Sequence, residues 1–275
     1  MMRLKLLSRE EAPHKETIAA VTAPPSNKPQ LAAPSFRLPA RAQDFLLGDS
    51  TRGLRFQLEY QKAEECLRRW AVASTVVVFG SARIRENDGR GWYESARQFA
   101  RIVSERGGAK LDSGPQRENV IATGGGPGIM EAANRGAWDA NAPSIGYNIT
   151  LPMEQEPNPY STPDLTFLFH YFAMRKMHFA MRAAALVVFP GGFGTFDELF
   201  EILTLRQTGK MSGLPIVLFD RKFWRSAIHL EHLVETGMIN AADLTLFDFA
   251  DDPEEAWESL LKRGLKVPGL EDQEL

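Results

Sequence analysis

The sequence predicts an α/β fold in which a doubly wound, mostly parallel sheet of about seven strands is flanked by helices, after an N-terminal helical extension. Apolar runs alternate with helical patterns from about residue 75 to residue 263. Strands that alternate with helices form right-handed βαβ crossovers and therefore a parallel sheet. Three of the apolar runs lead into glycine or serine loops. Loops at the carboxyl ends of parallel strands are common ligand sites.

The composition narrows the class of protein. The chain has 275 residues, of which 44% are hydrophobic, enough to bury a sizeable core. A net charge of −3 and a pI of about 6.0 give no electrostatic field for nucleic acid. Cys66 is the single cysteine, so no internal disulfide can form. We expect a cytoplasmic protein with neither a nucleic-acid nor a membrane partner.

Four regions are predicted along the chain: a disordered tail at 1–40, a helical extension at 41–71, the main domain at 72–265 and a polar tail at 266–275. The first region is rich in proline and lacks apolar periodicity. In the extension, one apolar stripe is formed by Phe56, Tyr60, Ala63, Leu67 and Trp70. This stripe predicts a helix near residues 51–71 that packs on the main domain or on a second subunit.

The main domain is divided by its apolar runs. Strands are predicted at residues 75–79, 120–123, 144–149, 165–171, 185–189, 214–220 and 244–249. Helices are predicted at 91–106, 129–141, 174–184, from Thr195 onward, at 223–235 and at 253–263.

The most informative stretch runs from Ala184 to Glu198. A buried strand ends at Pro190, a glycine turn at Gly191, Gly192, Phe193 and Gly194 follows, and Thr195 opens a helix. Unpaired N–H groups and the positive end of the helix dipole suit a phosphate. The alternative is a tight turn whose glycines only supply positive φ.

Glu198 lies one turn into that helix and has two interpretations. It is either a carboxylate that faces a sugar or the second member of a capping box with Thr195. The residues alone leave these two alternatives open. Asp197 lies about 100° around the helix from Glu198, so both cannot point squarely at one ligand.

Two further loops are expected on the same rim. Gly80 and Ser81 follow the first strand, and Gly124, Gly125 and Gly126 open a loop before a helix. The second loop is not a dinucleotide fingerprint, because Ile129 stands where the third glycine should be. Together the loops indicate a ligand the size of a mononucleotide rather than NAD.

Met174, Arg175 and Lys176 open the helix after the fourth predicted strand. Cations at a helix N-terminus oppose the dipole, so they need an anionic partner, which is either Asp/Glu or a ligand. The alternative is a solvated face. The five histidines show no metal-binding spacing, and Lys176 lacks the context of a Schiff-base lysine. We expect no metal and no cofactor.

The segment PGGFGTFDE at residues 190–198 resembles the signature P-G-G-x-G-T-x-x-E of the "Lonely guy" (LOG) family. The family's G-G-G-x-x-G-x-M block corresponds to residues 124–130, with Gly128 displaced by one position, and its M-x-R-K block corresponds to residues 174–176, without the intervening residue. The resemblance covers about residues 75–263.

The resemblance implies a Rossmann-like fold, a homodimer or higher oligomer, and a phosphoribohydrolase. Such enzymes cut the N-glycosidic bond of nucleoside 5′-monophosphates, among them AMP and cytokinin riboside monophosphates, to free base and ribose 5-phosphate. By matching position, Glu198 is the catalytic carboxylate and Arg175 its partner, contacting either that carboxylate or the phosphate. Two hypotheses compete with this one. The first is a non-catalytic protein of the same fold that binds or carries a nucleotide or a nucleotide cofactor, and the second is a structural or interaction protein that uses the N-terminal helix.

The resemblance and the shared rim together nominate a set of substrate-binding residues. These are Gly80, Ser81, Gly124, Gly125, Gly126, Met130, Met174, Lys176, Gly191, Gly192, Phe193, Gly194, Thr195 and Thr204. Glu154 or Glu156 is a further candidate for ligand contact.

Overall fold

A computed structural model describes residues 26–111, 114–152 and 156–269, and it divides the chain into two compact units. The first unit ends at Arg52. Its described part holds two short helices, α1 (Lys28–Ala32) and α2 (Gln43–Leu47), and three 3₁₀ turns. Residues 26–40, predicted as disordered, therefore carry short helical turns, and the first 25 residues of that predicted tail lie outside the described residues.

The second unit begins at Gly53 and contains one parallel sheet. Its strands are β1 (Thr75–Phe79), β2 (Val120–Thr123), β3 (Ser144–Ile149), β4 (Thr166–Phe169), β5 (Ala183–Val188), β6 (Ile216–Phe219) and β7 (Asp248–Ala250). The strand order is β4-β3-β2-β1-β5-β6-β7, and every neighbouring pair is parallel. The predicted sheet of about seven strands is confirmed.

Helices cover both faces of the sheet. They are α3 (Arg52–Arg69), α4 (Trp92–Arg106), α5 (Ile129–Asp139), α6 (Phe172–Met181), α7 (Phe193–Gln207), α8 (Arg221–Ala227), α9 (Leu230–Glu235) and α10 (Pro253–Lys262). Val76 and Val78 face a core formed with α4, α5 and α10. Val77 and Phe79 face the opposite core, formed with α3, α6 and α7. Alternate residues of the central strand thus enter different cores, as expected for a doubly wound sheet.

Helix α3 belongs to the second unit, although the sequence assigned it to an extension. Ala63 and Leu67 of its apolar stripe are buried in the core, so the helix packs on the sheet domain, one of the two predicted arrangements. Among the helices that the structure describes, none combines the length and the hydropathy that crossing a membrane requires.

Two predicted elements near the C-terminus are corrected. The helix expected at residues 223–235 is two helices, because Ile228 adopts an extended conformation between α8 and α9 and packs against the core. The strand expected at 244–249 shortens to β7. Asn240 and Asp243 cap each other's backbone, and this reciprocal pair folds Ala241–Thr245 into a 3₁₀ helix instead.

Gly136→Ala tests the close packing of α4 on α5. An alanine Cβ at position 136 would lie 2.0 Å from the carbonyl oxygen of Arg97 and 2.9 Å from the backbone nitrogen of Arg101, so the helices must move apart. We expect a loss of about 1–3 kcal/mol in the free energy of unfolding, measured by urea denaturation. Gly53→Ala in α3 is the control, because open space surrounds it and alanine favours a helix. Equal stabilities of the two variants would contradict this packing.

Candidate active site

The central feature of the site is the crevice between β1 and β5. From β1 the chain adds β2, β3 and β4 on one side of the sheet, and then adds β5, β6 and β7 on the other. The order of strands therefore reverses between β1 and β5. In an open parallel sheet, the carboxyl ends of the strands at such a switch point are the usual place for a ligand.

Backbone hydrogen bonds join the three predicted loops at this crevice. The N–H of Ser81 donates to the carbonyl oxygen of Pro190 at 3.0 Å. The N–H of Ile129 donates to the carbonyl oxygen of Ser81 at 3.1 Å. Gly80 allows the approach, because a Cβ there would lie 2.6 Å from the Ile129 side chain. The loops after β1, β2 and β5 thus form one rim, as the sequence predicted.

The glycine turn after β5 differs from a turn that needs positive φ. None of Gly191, Gly192 and Gly194 has positive φ, so that alternative is wrong. Gly191 is required by contact, since a Cβ would lie 2.1 Å from the Thr195 hydroxyl. Cβ atoms at Gly192 and Gly194 would meet nothing within 4 Å. The turn itself therefore requires neither of these two glycines.

Helix α7 begins at Phe193, two residues before the predicted start. Its N-cap is Gly192, whose carbonyl oxygen accepts hydrogen bonds from the N–H groups of Thr195 and Phe196 at 2.9 and 3.0 Å. The N–H groups of Phe193 and Gly194, in the first turn, have no acceptor within the helix. This end of α7 therefore offers backbone donors beside the crevice.

The capping-box interpretation of Glu198 is wrong, because Thr195 is the third residue of the helix and not its cap. The Glu198 side chain is 7% exposed, and its Oε1 lies 3.3 Å from Nη2 of Arg175. The sequence left open whether Arg175 contacts the phosphate or the carboxylate. In this structure Arg175 contacts the carboxylate.

Burial controls the protonation of this pair. It raises the pKa of the Glu198 carboxyl, although Arg175 and Lys176 oppose the rise. Burial likewise lowers the pKa of the Arg175 guanidinium, and Glu198 opposes that change. A carboxylate with a raised pKa, facing a cleft, is typical of a group that exchanges protons during a reaction.

Arg175 has a hydrogen-bond donor that no described residue uses. Its guanidinium lies against the rings of Phe172 and Phe179, 5.2 and 5.8 Å from their centres. The buried Nε atom has no hydrogen-bond partner among the described residues. Nη1 reaches the second glycine loop, at 4.0 Å from where a Cβ on Gly124 would lie. The guanidinium therefore stands between Glu198 and that loop with one donor available.

Lys176 joins two helices through acidic partners, as one of the predicted arrangements has it, and the alternative of a solvated face is wrong. Its side chain is 18% exposed, and Nζ lies 2.8 Å from carboxylate oxygens of both Asp197 and Glu201. Burial opposes the ionised form, but the two carboxylates still raise the pKa of the Lys176 amine. A Schiff-base lysine needs the opposite shift. Lys176 instead ties α6 to α7.

A buried network of amides supports the second glycine loop from behind. Asn158 donates from Nδ2 to the carbonyl oxygen of Gly126 at 3.1 Å and to Oδ1 of Asn134 at 2.9 Å. Its N–H donates to the carbonyl oxygen of Gly125 at 2.8 Å. The Thr123 hydroxyl accepts from the Gly125 N–H at 3.0 Å. Sequence reasoning missed Asn158, because no local pattern links it to a loop more than 30 residues earlier.

Only some of the remaining predicted site residues lie near the crevice. Met130 lies beside Gly124, where its sulfur would be 2.7 Å from a Cβ. Met174, on α6, packs against the core, and Phe193 is 97% exposed at the rim. Thr204 is exposed and donates its hydroxyl to the carbonyl oxygen of Phe200, so the structure does not bring it to the crevice. Glu156 is exposed, and Glu154 lies outside the described residues.

Comparison with known proteins gives consistent matches. The sequence model of a family described as "possible lysine decarboxylase" matches residues 130–260. A probable cytokinin riboside 5′-monophosphate phosphoribohydrolase, LOG4 of Oryza sativa subsp. japonica, is 30% identical over 152 residues, 52% of this chain and 64% of that protein. A cytokinin riboside 5′-monophosphate phosphoribohydrolase of Rhodococcoides fascians is 32% identical over 74 residues, 26% of this chain and 37% of that protein.

Among solved structures, the Moco carrier protein of Chlamydomonas reinhardtii superposes with a TM-score of 0.45 at 19% identity, over 69% of this chain and 96% of that chain. A TM-score below 0.5 at this level of identity does not indicate a shared function. The matched segments also span less than two thirds of the two curated relatives' lengths.

The sheet and its crevice define a Rossmann-like α/β protein, a fold class in which the switch point is the usual place for a small-molecule ligand. The family's sequence model and the two curated relatives are similar to this chain over part of its length, and they agree with the resemblance to the LOG family that its motifs predicted.

Asn158→Ala tests the amide network. The substitution removes the Asn158 donor from the Gly126 carbonyl and leaves Oδ1 of Asn134 with the Thr123 hydroxyl as its remaining donor, so we expect a loss of about 1–3 kcal/mol in the free energy of unfolding. Asp164→Ala, an exposed change a few residues away, should remain within about 0.5 kcal/mol of the original protein. Denaturant titration of both variants measures the difference. An unchanged Asn158→Ala variant would show that the loop does not depend on this amide.

Proposed function

We propose that this protein hydrolyses the N-glycosidic bond of nucleoside 5′-monophosphates, AMP or cytokinin riboside 5′-monophosphates, to give free base and ribose 5-phosphate. The observation that carries the proposal is the buried Glu198 carboxylate, held opposite Arg175 beside a glycine cradle at the switch point. The names of the two curated relatives support the same activity. The nucleotide is a small-molecule partner, and we propose a cytoplasmic homodimer or higher oligomer as the working form.

The phosphate is assigned to the start of α7. The first N–H groups of that helix lack intrahelical acceptors, and the helix dipole favours an anion there. Glycine in a helix costs roughly 1 kcal/mol relative to alanine, yet no neighbouring atom requires Gly194 to lack a side chain. A phosphate that lies against the backbone would account for this glycine and for Gly192.

The ribose is assigned to the space in front of Glu198. Cleavage of an N-glycosidic bond develops positive charge on the sugar, and an ionised carboxylate stabilises that charge. The same carboxylate can accept a proton from the water that attacks C1′ while the C1′–N bond breaks and the base departs with the bonding electrons. The base takes up one proton, and loss of the proton from Glu198 restores the ionised carboxylate. Arg175 keeps the carboxylate in place, and its available Nε donor can hold a substrate oxygen.

Glu198→Gln tests the assigned reaction. The amide keeps the size of the side chain but removes its charge, so we expect turnover of AMP to fall at least about 100-fold while AMP still binds. Release of free adenine, followed by chromatography, measures turnover, and calorimetry measures binding.

Glu258→Gln on α10 is the matched control, because that carboxylate is exposed and remote in the chain. A folded protein that binds AMP but frees no base from any nucleoside monophosphate would indicate a carrier instead. Original turnover in the Glu198→Gln variant would remove Glu198 from the mechanism.

The pH dependence of turnover tests the state of Glu198. The reaction needs the ionised carboxylate, and burial raises its pKa in the ligand-free protein, so the acidic limb of kcat/KM should lie above the ordinary value of 4.5. Lys176 lowers that pKa, and Lys176→Met should therefore move the limb to higher pH. Lys262→Met, an exposed change on α10, should leave the limb in place. A limb at or below 4.5, or one that Lys176→Met does not move, would contradict the assignment.

A further inference from the structure

Helix α3 contacts both ends of α6, the helix that carries Arg175. α3 precedes the residues that the family's sequence model matches, 130–260, and no motif of the site lies on it. Its polar side chains nevertheless meet α6 at the N-terminus, in the middle and at the C-terminus. Each of these three contacts joins residues more than 100 positions apart in the chain.

At the N-terminus of α6, the carboxylate of Glu59 accepts hydrogen bonds from the two residues that lead into the helix. The N-cap residue is Tyr171, whose side chain makes no capping hydrogen bond. Glu59 accepts the N–H of His170 at 2.9 Å and the N–H of Tyr171 at 3.3 Å. A negative charge at this end of a helix is also favourable to the dipole. The Tyr171 carbonyl oxygen in turn accepts the N–H of Arg175 at 3.2 Å.

At the C-terminus, Glu64 holds the residue that ends α6. Arg182 is the C-cap, and both of its terminal nitrogens donate to the Glu64 carboxylate, Nη2 at 3.0 Å from Oε2. Glu64 is 3% exposed, and the hydrogen bond from Arg182 lowers the pKa of its carboxyl despite burial. The ion pair therefore persists at neutral pH.

Between the two ends, the ring of Tyr60 stacks on that of His178 with centroids 5.6 Å apart. Glu59, Tyr60 and Glu64 occupy little more than one turn of α3, so a rigid stretch of one helix fixes the whole length of the other. A helix held at both ends cannot slide along or rotate about its axis. Arg175, in its first half, is then fixed relative to Glu198 on α7.

We propose that Glu59 and Glu64 are positioning residues, which act through α6 to hold Arg175 opposite Glu198. The effect on turnover rests on the proposed function, whereas the effect on the position of Arg175 does not. A small displacement is enough to matter, since a 1 Å misplacement of an active-site group can cost about 100-fold in rate.

Glu59→Ala in the full chain is the decisive variant, because Glu59 is only partly buried and its loss leaves no buried charge unpaired. We expect kcat for AMP to fall about tenfold. Glu59→Gln keeps one carbonyl acceptor and should recover part of the rate. Glu65→Gln, on an exposed position of the same helix, should behave like the original protein. Glu64→Gln should lower kcat as well, but it leaves Arg182 without its charge partner, so only a folded sample is informative.

A double-mutant cycle separates positioning from general stability. In an Arg175→Ala background, Glu59→Ala should cause no further loss of kcat, because the group on which it acts is gone. The same tenfold loss in both backgrounds would overturn the proposal.

A second measurement does not depend on turnover. The ¹⁵N resonance of the Arg175 Nε–H, assigned by its disappearance in Arg175→Ala, should shift in Glu59→Ala and stay in place in Glu65→Gln. If this shift occurs in a protein that cleaves no nucleotide, the proposed function fails and the positioning role stands. An unmoved resonance in Glu59→Ala would overturn the positioning role.

Discussion

The pairing of two ionised groups away from water is the constraint on which the site depends. Removing Arg175 and Glu198 from solvent is unfavourable, and their mutual attraction offsets that cost only while both stay in place. The pair joins α6 to α7, so those helices must hold a fixed relation. Lys176 adds a second connection between them through Asp197 and Glu201. The arrangement keeps a carboxylate charged at a position where burial alone would favour its protonated form.

The backbone of the glycine loops at the rim also depends on neighbouring residues to hold it in place. Glycine gives a loop freedom to approach a ligand closely but also freedom to move, so the surrounding structure must restrict it. Ser81 is hydrogen-bonded to both neighbouring loops, and Asn158 holds Gly125 and Gly126 from behind. The surrounding structure therefore fixes the direction of the backbone donors at this rim, and the proposed site would stabilise charge without reorganising.

Features that depend on neighbouring residues could be predicted from the sequence, and features that depend on distant ones could not. The apolar run before Gly80 and the one before Gly124 predicted β1 and β2, because a buried strand needs little besides such a run. The start of α7 was misplaced, since Gly192 caps the helix with its backbone and leaves no side-chain signal. The partners of Lys176 and Asn158 come from other elements, and only the folded chain brings them together.

The ion pair between Glu64 of α3 and Arg182 has an evolutionary consequence. Loss of Glu64 alone would leave the Arg182 charge without an acidic partner, and loss of Arg182 alone would leave the buried Glu64 with only the largely exposed Arg68 as a partner. Replacing both with apolar residues of similar volume avoids that penalty. The two positions are therefore free to change together and resist changing singly.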